Sequence, residues 1–140
     1  MSDREKLEVD VLLVGAGIAS LSTAYQLLKK VGEHDDGVDS GKIGGPKVGP
    51  LEVAIIEKCR EVGDSILSGA VMDPKGITEL MPDWKERGAP IESAVTGDAT
   101  YFFTKKRALK FPVSPPPLRQ HGNYIVSLSK LTRWMERETM

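Results

Sequence analysis

The sequence predicts an α/β fold built around two parallel strands and the helix that connects them. An apolar run, Val11–Val14, breaks into the turn Gly15-Ala16-Gly17-Ile18-Ala19-Ser20, and apolar residues at helical spacing follow it. A second apolar run, Val53–Ile56, ends on Glu57. Strand, glycine turn, helix, strand and terminal acid is the order of a dinucleotide-binding unit. We therefore expect a Rossmann-like FAD/NAD(P)-binding domain.

Each part of this turn has a physical role in the prediction. Gly15 lets the chain turn sharply off the strand, and Gly17 lacks a Cβ, so backbone N–H groups can approach a pyrophosphate. The helix N-terminus adds its free N–H groups and partial positive charge. Glu57 is expected to accept hydrogen bonds from a ribose. The predicted cofactor-binding residues here are Val14, Gly15, Ala16, Gly17, Ile18, Ala19, Ser20, Leu21, Glu57 and Lys58.

Two departures from the usual pattern stand out. Ser20 occupies the third motif position, where glycine or alanine allows close helix–strand packing, so its hydroxyl is expected to loosen that contact. Glu57 follows Gly17 by 40 residues, whereas about 20 is usual. The excess lies in residues 29–50, which are rich in glycine and charge and predict a flexible surface insertion. A plain strand–turn–helix element without a nucleotide remains an alternative at this point.

Composition excludes several classes of function. The chain has 140 residues and a net charge of −1, which allows at most one domain and gives no electrostatic reason to expect nucleic acid. Lys105-Lys106-Arg107, the one basic cluster, is interpreted as a solvated turn. Cys59 is the single cysteine, so this chain alone provides neither a disulfide framework nor a cysteine-ligated metal site. We predict no metal site.

Location is predicted from the start of the chain and from the hydropathy. Residues 1–10 include four acids, which is untypical of a secretion signal or a transit peptide. No apolar run reaches the ~20 residues that would span a bilayer. We expect a protein at the cytoplasmic face of a membrane, with a plain cytoplasmic location as the alternative.

The second half contains an apolar stripe, Ile77, Leu80, Met81 and Trp84, at helical spacing. The helix is expected to begin after Asp73-Pro74 and to end at Pro82. The stripe predicts either a buried helix face or a membrane-surface anchor. Further elements are expected as a strand at Tyr101–Phe103, an extended proline-rich segment at 110–118, a strand within 123–128 and a helix through Leu131, Trp134 and Met135. That last helix has no terminating glycine or proline, so we expect an incomplete domain.

Four blocks in register carry a resemblance to a known family. They are Gly63-Asp64-Ser65-Ile66-Leu67-Ser68-Gly69-Ala70-Val71, Glu79-Leu80-Met81-Pro82-Asp83-Trp84-Lys85, Gly88-Ala89-Pro90 and His121-Gly122-Asn123-Tyr124-Ile125-Val126-Ser127-Leu128. With the glycine turn, these blocks resemble the electron-transfer flavoprotein:ubiquinone oxidoreductases. The resemblance runs from about Val9 to the end of the chain, interrupted by the insertion.

The resemblance implies the N-terminal part of an FAD-binding domain with a glutathione-reductase-like fold, spanning residues 1–140. Such an enzyme takes electrons from electron-transfer flavoprotein and passes them to ubiquinone at a membrane. A four-iron four-sulfur cluster would lie in a C-terminal portion that this chain lacks. The resemblance adds Ser68 and Gly69 to the FAD contacts, and it implies a membrane-surface segment at residues 62–84. Ile77, Leu80, Met81 and Trp84 would face the membrane.

No catalytic residue is predicted in this chain. The flavin would carry the redox chemistry, so His121 is interpreted as shaping the turn before a strand. Two other hypotheses remain open on the residues alone. The first is an NAD-binding unit of another oxidoreductase, because Glu57 does not distinguish an FAD site from an NAD site. The second is a non-catalytic remnant that binds a nucleotide weakly.

Overall fold

The computed structural model describes residues 6–140, which form two compact units. Of the described residues, the first unit contains 6–66 together with Thr132–Met140, and the second contains Leu67–Leu131. Residues 1–5 lie outside the described residues. They are part of the acidic stretch 1–10, from which we predicted that the chain has no signal or transit peptide. Among residues 6–140, no helix combines the length and apolarity needed to cross a bilayer.

The first unit is a mixed α/β arrangement, as predicted. Strand β1 (Val11–Val14) leads into helix α1 (Ile18–Asp39), and strand β2 (Val53–Ile56) pairs in parallel with β1. The register places Val14 opposite Ile56, so both strands end at the same edge of the sheet. Leu21 and Ala24 on α1 are fully buried, because the apolar face of the helix covers this unit's core. The ends of β1 and β2 therefore stand beside the start of α1.

Helix α1 continues through much of the segment predicted to be a flexible insertion. Residues 29–39 are helical, and the loop is confined to residues 40–52. The helix ends in a Schellman motif: Gly41, at φ +70°, donates its N–H to the Val38 carbonyl, and Lys42 donates to the Gly37 carbonyl. Glycine and charge counts suggested an early end to the helix, but interior glycines at 32 and 37 only weaken a helix by about 1 kcal/mol each.

The loop that follows is held against the end of α1. The carboxylate of Asp35 accepts hydrogen bonds from the N–H groups of Val48 and Gly49, at 2.8 and 2.9 Å. Lys47 forms an ion pair with Asp39. Desolvation raises the pKa of Asp35, but these N–H groups and nearby cations outweigh it, so the pKa lies below its ordinary value. The insertion is thus tied to the helix at several points.

The second unit contains two small antiparallel sheets. Strands β3 (Ala70–Met72), β4 (Ile91–Ala94) and β7 (Tyr124–Val126) form one sheet, with β7 in the centre. Strands β5 (Tyr101–Phe103) and β6 (Ala108–Lys110) form a separate hairpin. Helix α2 (Lys75–Leu80) follows β3, and helix α3 (Leu128–Thr139) begins here and continues in the first unit. The predicted strands near 101 and 124 and the final helix are confirmed.

Met81 and Trp84 are buried, with 1% and 2% of their surfaces exposed. The indole N–H of Trp84 donates to the Thr78 hydroxyl at 3.1 Å, and its ring meets Tyr124 edge to face with centroids 5.5 Å apart. The prediction that Met81 and Trp84 face a membrane is therefore wrong. Both lie past α2, which ends at Leu80 before Pro82, so the chain turns and points them into the protein. Ile77 and Leu80 are half-buried.

Candidate nucleotide-binding site

The turn between β1 and α1 is built from two glycines with different roles. Gly15 has φ +92°, a conformation that favours glycine, and its N–H donates to the Ile56 carbonyl at 2.7 Å. Gly17 has φ −77°, which any residue can adopt. A Cβ added at Gly17 would meet no atom within 4 Å. The backbone thus does not require glycine at position 17, and the space that the missing Cβ leaves open is available to a ligand.

The start of α1 is open to an anion. Gly17 is the N-cap residue, no side chain caps the helix, and its first turn contains no acidic residue. The first N–H groups of a helix lack intrahelical partners and carry partial positive charge. An uncapped N-terminus preceded by a glycine turn is the arrangement that binds phosphate groups in dinucleotide-binding units.

Glu57 links the end of β2 to this turn. One carboxylate oxygen accepts the N–H of Ala16 at 2.8 Å, and the other accepts the N–H of Cys59 at 2.9 Å. The hydrogen bond from Cys59, followed by that from Ala16, lowers the pKa of Glu57 below its ordinary value. A carboxylate has about four lone-pair sites, so acceptor capacity remains for ribose hydroxyls.

The carboxylate of Glu57 should stay ionised to a lower pH than an ordinary glutamate. Because the folded-state pKa is lowered, the anchoring of Ala16 is fully present above the unfolded-state pKa and is lost as the pH falls through the folded-state pKa. The amide proton shift of Ala16, followed by NMR during an acid titration, should report this midpoint. Glu57→Gln should abolish the titration step at Ala16. A midpoint at or above the ordinary glutamate pKa would contradict the assignment.

A cavity of about 460 Å³ lies at the edge where the two strands end. Its size falls within the roughly 300–1,000 Å³ range of small-molecule sites. It is lined by Val14, Gly15, Gly17, Ile56, Glu57, Lys58 and Ser65. The structure thus gathers the glycine turn, the acid and Lys58 around one space, with apolar side chains from both strand ends.

The other residues predicted around the turn have different positions. Ala16 is buried and contributes its backbone N–H to Glu57. Ile18 and Ala19 are exposed at the first turn of α1, and Ser20 is half-buried. The side chain of Leu21 is completely buried, so it belongs to the core and its side chain cannot contact a ligand. Its N–H donates to the Gly17 carbonyl, which closes the first turn of α1.

Ser68 and Gly69 belong to the second unit. The hydroxyl of Ser68 donates to the hydroxyl of Ser127 at 2.8 Å, and Gly69 has φ +86°. The hydrogen bond from Ser68 joins the segment before β3 to Ser127, the residue that follows β7. The predicted role of both residues in cofactor binding remains a prediction.

Sequence reasoning missed two residues that shape the first unit. Ser65 lines the cavity, although it lies within one of the blocks that carry the family resemblance. Arg133 on α3 donates to the Val62 carbonyl at 3.0 Å and to the Asp64 carboxylate at 2.7 Å. Arg133 thereby fixes the stretch between Glu57 and Ser65. No local pattern marks a pairing across such a sequence separation. Among the described residues, no cluster of three or more His, Cys, Asp or Glu side chains suits a metal ion.

Comparison with curated proteins tests the resemblance over nearly the whole chain. The electron transfer flavoprotein-ubiquinone oxidoreductase of Dictyostelium discoideum is 46% identical over 132 residues, covering 94% of this chain. That of Pseudomonas aeruginosa is 42% identical over 139 residues, covering 97% of it, and that of Bos taurus 40% over 129 residues, covering 91%. Over this span the chain is similar to a portion of the electron transfer flavoprotein-ubiquinone oxidoreductases. The predicted resemblance is therefore confirmed.

The chain spans about a fifth of the length of these oxidoreductases: 20%, 23% and 19% of the three relatives named. No protein-family model matches the chain. The Dictyostelium and Bos taurus proteins carry the word mitochondrial in their names, and the Pseudomonas protein does not. The chain is therefore similar both to relatives named as mitochondrial and to a bacterial relative.

Proposed function

We propose that this chain forms part of the FAD-binding domain of an oxidoreductase that accepts electrons from electron-transfer flavoprotein and passes them to ubiquinone. The observation that carries the proposal is the cavity at the ends of β1 and β2, where the open space at Gly17, the uncapped start of α1 and the Glu57 carboxylate converge. Sequence identity to the oxidoreductases named above supports the choice of donor and acceptor.

The residues present fit the ADP half of FAD. Backbone N–H groups at the start of α1 would bind the pyrophosphate, and the open space at Gly17 would let its oxygens approach the backbone. Glu57, already held by Ala16 and Cys59, would accept the ribose hydroxyls in a fixed orientation. Lys58 lines the same space and would place a positive charge near the cofactor. When bound, FAD supplies the redox chemistry, and these residues supply binding and orientation.

The domain is proposed to have the Rossmann-like, glutathione-reductase-like fold, of which β1, α1 and β2 are the first elements. The parallel pairing of β1 with β2 and the helix between them support this assignment. Association with a membrane surface is proposed through the segment at residues 62–84. Within it, Ile77 and Leu80 remain the half-buried apolar positions that could reach lipid.

Titration with nucleotides tests the proposal directly. Protein of natural length, stripped of bound cofactor, should bind FAD and ADP, with NMR amide shifts at Gly15, Gly17 and Ile18. NAD should bind more weakly than FAD. Glu57→Gln should weaken FAD binding about ten- to hundredfold, because the new amide group would turn an N–H toward the N–H of Ala16 or Cys59, and hydrogen bonds to charged groups contribute about 1.5–3 kcal/mol.

A matched control is available on the preceding loop. Glu52→Gln removes the same charge from an exposed side chain that does not line the cavity, so it should leave FAD binding unchanged. Preferential binding of NAD over FAD would favour the alternative hypothesis, in which the chain is an NAD-binding unit of another oxidoreductase. Absence of shifts at Gly15 and Gly17 with saturating FAD would refute the assignment of the site.

A further inference from the structure

The segment from Glu57 to Ser65, here called the 57–65 loop, forms part of the wall of the nucleotide cavity. Glu57, Lys58 and Ser65 line that cavity. The loop contains no helix or strand, and of its residues only Gly63 is buried. A segment with so few buried contacts has little local stability of its own. Its position must therefore depend on contacts with other parts of the first unit.

A second cavity, of about 390 Å³, lies between the 57–65 loop and the C-terminal half of α3. It is lined by Glu57, Cys59, Arg60, Glu61, Val62, Arg133, Glu136 and Arg137. Glu57 borders this polar cavity as well as the nucleotide cavity. The loop therefore has open space beside it in both places, and the second cavity leaves it room to move unless a specific contact holds it.

Arg133 makes such a contact with one guanidinium group. Its Nε donates to the Val62 carbonyl at 3.0 Å, and its Nη2 donates to the Asp64 carboxylate at 2.7 Å. The same Nη2 lies 3.9 Å from a carboxylate oxygen of Glu61. These partners flank Gly63, whose φ of +87° turns the chain. The planar guanidinium thus holds both sides of the turn, and the hydrogen bond to Asp64 is of the strong, charge-assisted kind.

The backbone that carries Arg133 is itself well anchored. Its neighbours Thr132, Trp134 and Met135 are 0%, 2% and 1% exposed. Further along α3, Oγ1 of Thr139 lies 3.5 Å from the carbonyl oxygen of Leu21 on α1. Helix α3 therefore provides a fixed base from which Arg133 reaches the loop.

We propose that Arg133 is a positioning residue for the nucleotide cofactor. It holds the 57–65 loop in place, so that Glu57, Lys58 and Ser65 are arranged around the cavity before the cofactor enters. Arg133 does not line that cavity, so it acts through the loop. A binding site that is already ordered loses less conformational freedom when its ligand binds. The inference rests on the proposed function, because it takes FAD as the cofactor.

Arg133→Gln tests the inference in protein of natural length from which bound cofactor has been stripped. The variant should bind FAD about tenfold more weakly or worse, because it loses a charged donor that serves two acceptors. Amide hydrogen exchange should become faster in residues 61–65. The melting temperature of the cofactor-free protein should change little, since the Arg133 side chain is 40% exposed. Arg133→Lys keeps the charge but lacks the planar fork, so it should restore only part of the affinity.

Arg137→Gln is the matched control, because it removes the same charge one turn further along α3. Arg137 lines the second cavity but does not line the nucleotide cavity. This variant should bind FAD like the unaltered protein. Equal losses in the two glutamine variants would overturn the inference, since the effect would then be one of charge alone.

The remaining outcomes separate this inference from the proposed function. Normal FAD affinity in Arg133→Gln would overturn the inference and leave the proposed function standing, even if the loop amides exchanged faster. If Arg133→Gln instead lowers the melting temperature, Asp64→Ala decides the question by breaking the ion pair at its exposed end. That variant should also bind FAD more weakly, and unchanged affinity would overturn the inference. Failure of the unaltered protein to bind FAD would overturn both.

Discussion

Gly17→Val is expected to abolish retention of FAD while leaving the fold of the first unit intact. The backbone at Gly17 has φ −77°, and an added Cβ would meet no protein atom within 4 Å. Valine should therefore be accommodated in the protein without a ligand. Its side chain would occupy the space through which a pyrophosphate reaches the start of α1. The measurement is the flavin absorbance of the purified protein, together with its melting temperature.

A second glycine gives the matched control. Gly32, inside α1, also has no atom within 4 Å of an added Cβ, so Gly32→Val makes the same chemical change in open space away from the cavity. It should retain full flavin content. Gly17→Ala should fall between the two valine variants. Undiminished flavin in Gly17→Val, or equal losses in both valine variants, would rule out the proposed role of Gly17.

Trp84→Ala should destabilise the second unit by about 3–5 kcal/mol, as is typical when a buried large aromatic side chain is truncated. Trp84 is 2% exposed, donates a hydrogen bond to Thr78 and contacts the ring of Tyr124. Lys85 also lies above its ring, with Nζ 5.2 Å from the centroid. Truncation would leave a cavity and remove these contacts together. Denaturant unfolding, followed by circular dichroism, measures the loss.

Trp84→Phe separates the contributions to this effect. Phenylalanine keeps an aromatic ring but cannot donate to Thr78, so its loss should be smaller than that of alanine. A side chain that faced lipid would behave differently. Trp84→Ala would then preserve stability in solution and weaken vesicle binding, and this result would contradict the burial of Trp84 described above.

The part of the fold that sequence predicts well is governed by local patterns. Val11–Val14, the glycine turn and the first turns of α1 follow each other directly, and each has a short-range physical requirement. Glu57 was also predictable as the residue at the end of the second apolar run. Its two backbone partners were not, because the contact between Glu57 and Ala16 joins residues that are 41 positions apart.

The failures have identifiable physical causes. Helix α1 ends at Asp39 because a Schellman motif terminates it and because the following loop folds back and donates the Val48 N–H to Asp35. The glycine content of the segment indicates neither of these interactions. The apolar stripe through Trp84 has the same spacing whether it faces lipid or protein. What decides its orientation is the contact with Tyr124, 40 positions further along the chain. Likewise, the apolar run Tyr101–Phe103 correctly predicted a strand, but it did not indicate that 57% of the surface of Phe102 is exposed.

The clamp formed by Arg133 has a consequence for how the protein is made. Its contacts with Val62 and Asp64 join residues 71 and 69 positions apart, and residues 67–131 are synthesised between them as part of the other unit. Translation proceeds from the N-terminus at about 5–20 residues per second. The first unit therefore cannot be completed on the ribosome until α3 has emerged, several seconds after β1, α1 and β2. During that interval the stretch between Glu57 and Ser65, which borders the cavity, lacks the hydrogen bonds that Arg133 donates to it.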